Sequence, residues 1–175
     1  MEKSKHDKIL DAKKILSSYN RMKREINMLS NSIDFYSAHK QSEISGDIYG
    51  LSVSHPSENS GGTNPNVSAD KIPGIAERID RMSSDYDEQL SKLRYKRNIF
   101  SYIVSGIDSF ISFLPEEQAK IIKCLYTDKD SKTFGEISAE INLSERRIKQ
   151  IVNSVLLDYY KTSYYDPNMI IDLLK

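Results

Sequence analysis

Tryptophan is absent, cysteine occurs once, and neither charge sign is in excess, since 25 Lys and Arg stand against 25 Asp and Glu. The lone Cys124 excludes an intrachain disulfide, and its neighbours Ile121, Ile122 and Leu125 predict a buried thiol. His6, His39 and His55 are too far apart for metal-ligand spacing, so no metal or other cofactor is expected. No glycine-rich phosphate loop, nucleophile elbow or His-Glu-x-x-His occurs; Gly61-Gly62 lacks the lysine and the strand-to-helix setting of a P-loop, and an enzyme is not expected. No apolar run is long enough to span a bilayer, and Met1 to Asp11 is charged where a signal peptide is apolar. The expectation is a cytoplasmic protein with no membrane partner. Neutrality also means that any nucleic-acid binding must rest on local charge.

What is present is helical periodicity. Ala12, Ile15, Tyr19, Met22, Ile26, Leu29, Ile33 and Tyr36 step by three and four, a heptad seam that predicts a first coiled-coil helix over residues 1–40. Residues 41–71 are rich in Ser, Gly, Asn and Pro and predict a flexible linker. Within it, Ile44, Ile48, Tyr49, Leu51 and Val53 leave open either local packing or an extension of the first helix. Pro73 suits a first helical turn, and the seam resumes from Ile72 to Leu114, interrupted only by Gln89 and Lys96, which predicts a second helix over 72–114. The linker is long enough to fold that helix back antiparallel to the first. The expected fold class is all-α: a long antiparallel helical hairpin, a coiled coil, followed by a three-helix helix-turn-helix domain over 115–175 with a short C-terminal helix. The hairpin reads equally as an intramolecular scaffold or as an arm for homo-oligomerisation.

The helix-turn-helix is the sharpest local signal. Pro115-Glu116-Glu117 opens a helix whose Ala119, Ile122, Leu125 and Tyr126 are expected to cover the module. Thr133 and Glu136 have capping-box spacing, and Phe134, Ile137 and Ile141 form the inner face of a short helix, with the small Ser138 and Ala139 for close approach. Asn142 stands where a left-handed residue ends that helix, and Ser144 can cap the next. Ile148, Ile151, Val152, Val155 and Leu156 then make one stripe, opposite Glu145, Arg146, Lys149, Gln150 and Asn153. Arg reads guanine edges and Gln adenine edges in the major groove, which the second helix of such a motif enters. Arg146, Lys149 and Gln150 are therefore the base-reading candidates. Thr133, Ser144 and Arg147 are candidates to position the backbone, Lys132 to hold a phosphate at the helix start, and Glu145 and Asn153 complete the polar face.

The stretch Thr-Phe-x-Glu-Ile-Ser-x-x-Ile-x-Leu-Ser-x-x-Arg-Ile-Lys-Gln-Ile over Thr133–Ile151 resembles the promoter-reading motif of region four in primary sigma factors. It departs from that pattern at Ser138, where those factors usually have Ala, at Asn142, usually Gly, and at Glu145-Arg146, usually Arg-Glu. The resemblance implies double-stranded DNA as partner, at a promoter element, with RNA polymerase as a further candidate. The order of elements is similar to the small phage-encoded late-operon regulators of the ArpU and RinA type, which implies an activator of phage late genes in a bacterial host. Charge counts against a strong lone module: residues 1–40 carry +4, 41–70 carry −4, 71–114 carry +1 and 115–175 carry −1. Two rivals follow: a protein-interaction factor docking on polymerase without strong DNA binding, favoured by that neutral C-terminal balance, and a ring-forming small subunit of a DNA-packaging terminase.

Overall fold

The computed structural model describes residues 3–52, 71–162 and 166–174, and among them every element is helical. In order these are α1 (Lys5–Ser17), α2 (Tyr19–Ser52), α3 (Lys71–Ser112), α4 (Glu116–Ile122), a π-helical turn (Lys123–Thr127), α5 (Phe134–Ile141), α6 (Glu145–Thr162) and α7 (Pro167–Leu173). The chain divides into two compact units, Met1–Asn27 with Arg97–Lys175, and Met28–Lys96.

The single first helix expected over residues 1–40 is broken at Ser18. Serine hydroxyls compete for nearby backbone carbonyls and weaken a helix from within; here the Ser18 hydroxyl donates to the Lys14 carbonyl at 2.9 Å. Past the break, α2 runs beyond residue 40 to Ser52. Of the two outcomes open for the apolar cluster after Ile44, helix extension holds that far. Residues 53–70, the rest of the expected linker, lie outside the described residues. The second helix begins at Lys71 and ends at Ser112, within the usual fraying of helix ends from the expected 72–114.

In the unit Met28–Lys96, Leu29 and Ile33 of α2 and Leu90 of α3 are buried. Lys40 pairs with Asp87 at 2.7 Å, and the Tyr86 hydroxyl donates to Glu43 at 2.9 Å. These contacts join α2 to α3 within the unit. Leu90 occupies the core where the polar Gln89 interrupts the seam; Gln89 itself is exposed.

In the other unit α1 lies against α6 and also meets α7 and the π turn. Ala12 and Ile15, expected in the hairpin seam, are buried on α1 in this unit together with Leu16, where α6 buries Ile148, Val152, Val155, Leu156 and Tyr159. Ser4 and Asp7 form a capping box that starts α1. The end of α3 contributes Phe100, Ile103, Ile107 and Ile111, and Phe110 meets the Tyr159 ring edge-on with centroids 5.0 Å apart. Polar contacts hold the start of α2 in the unit: the Tyr19 hydroxyl donates to Asp108 at 2.6 Å, and the Asn20 amide to the Asp128 carbonyl at 3.0 Å. Ile170 of α7 and Leu174 just after it are buried, and Arg21 donates to the Leu174 carbonyl.

A smaller difference lies in α4 and the π turn, where Ile121, Ile122 and Cys124 are buried, while the expected Ala119, Leu125 and Tyr126 are half-buried. Burial, the largest cause, pushes the Cys124 thiol up from its ordinary range.

Candidate nucleic-acid interface

Local chemistry sets the frame of the motif. The Thr133 hydroxyl accepts from the Glu136 N–H at 3.3 Å, and the Glu136 carboxylate accepts from the Thr133 N–H at 2.7 Å, the reciprocal pair expected from the spacing. The Thr133 N–H, and then the Thr133 hydroxyl donating to the same carboxylate at 2.9 Å, hold the Glu136 carboxyl below its usual range. Asn142 ends α5 at φ 54°, ψ 35°, the left-handed conformation predicted for it. Ser144 accepts the Arg147 N–H at 3.3 Å and so caps α6. Missing from the sequence reading is the second role of Ser138, whose hydroxyl donates to the Leu143 carbonyl at 2.6 Å and ties α5 to the turn. Its presence where sigma factors usually have Ala was the available signal.

With α6 fixed by Ile148, Val152, Val155 and Leu156 beneath it, Glu145, Arg146, Arg147, Lys149, Gln150 and Asn153 all stand exposed. No described residue holds the side chains of Arg146, Gln150 or Asn153 by a hydrogen bond or an ion pair. Lys149 is different: its ammonium pairs with Glu145 at 3.3 Å and lies 5.4 Å from the centroid of the Phe134 ring. Glu145 in turn lies close to α5, its Oε1 3.5 Å from where a Cβ on Gly135 would stand. Glu145 and Lys149 thus join the two helices as well as facing outward.

Lys132 is exposed at the start of α5 as expected, but its ammonium is engaged by Glu140 at 2.6 Å, with Lys120 on the same carboxylate at 3.0 Å. Hydrogen bonds from Lys132 and then Lys120 bring the Glu140 carboxyl down to about 2. This three-residue bridge connects α4, the loop and α5. A phosphate at Lys132 would have to displace or share Glu140.

Residues 110–157 match the family model described as Sigma-70, region 4. The segment is a sigma-70 region-4-like helix-turn-helix. The match runs from the last residues of α3 through α4, the π turn and α5 to Leu157 in α6, and it supports a DNA-binding, transcription-regulatory role. It includes the whole outward face of α6 described above. No curated protein and no solved structure matches the chain. Among the described residues no cluster of His, Cys, Asp and Glu could hold a metal ion, and no helix is long and apolar enough to cross a membrane.

Proposed function

We propose that the protein is a sequence-specific DNA-binding regulator that activates transcription at a promoter, with RNA polymerase as its second partner. One observation carries this reading: within the region-4-like segment, α6 turns Arg146 and Gln150 outward with no internal partner among the described residues. Bidentate side chains left unheld on the first turns of a recognition helix are what base reading needs. Arg146, Lys149 and Gln150 read base edges; Thr133, Ser144 and Arg147 position the module on phosphates; Lys132, Glu145 and Asn153 border the contact.

The order of elements supports a phage late-operon setting, in a bacterial host cytoplasm. Helices α2 and α3 act as an antiparallel coiled-coil arm for homo-oligomerisation, which would place two weakly binding modules on two half-sites. The reading is tested by selecting a preferred duplex from random sequence and measuring Arg146→Ala on it. The variant is expected to lose about 1 to 3 kcal/mol on the selected site and little on unrelated duplexes. Equal weakening on every sequence removes Arg146 from base reading.

A further inference from the structure

The geometry points to a second DNA-contacting surface: lysines at the start of α1 form a phosphate-backbone clamp at the far end of α6. This rests on the DNA-binding reading above and adds a surface outside the region-4-like segment. A cleft of about 560 Å³ is lined by Lys3, Lys5 and Lys8 from the N-terminal segment and by Leu157, Tyr160 and Lys161 from α6. Lys3 is held by Asp11 at 2.7 Å and Lys161 by Asp158 at 2.9 Å, and the half-buried Lys8 is engaged as well; Lys5 is exposed.

Its place on the helix is informative. Tyr160 follows Lys149, and Lys161 follows Gln150, by three helical turns, so each returns to within about 20° of its counterpart and about 16 Å farther along the axis. The cleft therefore continues the outward stripe. The major groove is about 12 Å wide, so a helix crossing it with its first turns among the bases brings that depth of α6 over the bordering strand, where phosphates lie.

Charge gives an independent argument. Residues 97–175 hold ten Lys and Arg against eleven Asp and Glu, whereas residues 1–27 hold eight against four. The helix-turn-helix unit is positive only because the N-terminal segment is folded onto it. Phosphate neutralisation supplies the sequence-independent part of DNA affinity, and the N-terminal segment, α1 with the start of α2, is where this unit carries the charge for it.

The test uses the full chain and a mixed-sequence duplex of about 30 base pairs, with affinity followed from about 50 to 200 mM salt. For Lys5→Ala the slope of log affinity against log salt is expected to fall by about 1, with the ratio of selected-site to mixed-sequence binding unchanged. Lys5→Glu, at an exposed position, checks the result without disturbing packing and should weaken mixed-sequence binding at least as much as one lost phosphate contact. An unchanged slope in both variants overturns the clamp while leaving base reading by α6 intact; the same holds if the variants lose polymerase capture with no change in slope. Failure of the unaltered protein to bind any duplex at low salt overturns both readings.

Discussion

Asn142 is the one described non-glycine residue with positive φ, and it sits at the hinge of the DNA-binding motif. A β-branched side chain in that conformation is opposed by its own Cβ, so Asn142→Val should lower stability by about 1 to 2 kcal/mol in a urea melt, and Asn142→Gly should be neutral or stabilising. Glu140 gives a pH dependence. Its carboxyl titrates at about 2 in the folded chain, down from 4.5. The lowered value means that its ion pairs stabilise fully above about 4.5, and that this contribution is lost as pH falls towards 2. Melts at a series of pH values should show Glu140→Gln less stable than the unaltered protein near neutrality and the difference shrinking through that window; a constant difference would mean that the bridge does not act through charge. Both residues differ in legibility for a physical reason. Asn142 was readable because a left-handed stop is set by the residue itself, whereas the partners of Glu140 come from α4 and the preceding loop, which only folding brings together.

At the scale of elements the same division holds. The capping box at Thr133, the Ser144 cap and the Pro115 start were legible, since each depends on neighbours within one turn. Thr133→Ala should cost about 1 kcal/mol of unfolding free energy, and a change below a few tenths would mean that α5 starts without it. The amphipathic character of α1 was equally plain, but an apolar stripe does not name its partner. Ala12 and Ile15 fit a heptad seam continuing into α2, and the break at Ser18 let them pack against α6 instead. The π turn was hidden for a related reason, since an inserted residue in the middle of a helix leaves no composition signal. Leu16, fully buried in α1, offers the measurement. Leu16→Ala should destabilise by about 2 to 5 kcal/mol and do so in the helix-turn-helix unit, seen as faster amide exchange at Val152 and Val155 of α6. Exchange faster only along α2 would contradict the packing of α1 on α6.

For the whole molecule, the consequence is that the DNA-binding unit is assembled from the two ends of the chain. Tyr19 reaches Asp108, Asn20 reaches Asp128 and Arg21 reaches Leu174, contacts whose partners are far apart in sequence. Such a unit completes only after the C-terminal helices exist, and non-local contacts of this kind slow folding. Ile15 and Leu16 alone bury side chains worth about 1.5 to 3 kcal/mol each, against a net stability of about 5 to 15 kcal/mol for a typical domain. Without α1 and the start of α2, the fragment 97–175 would expose the part of α6 against which α1 lies and would also lose the positive charge of residues 1–27. It should therefore melt without a sharp transition and bind a hydrophobic dye, and adding a peptide of residues 1–27 should restore a cooperative transition with an apparent midpoint that rises with peptide concentration, as linkage requires. A fragment that melts cooperatively at the temperature of the full chain, with no response to the peptide, would show that the region-4-like segment stands on its own and that α1 merely rests on it.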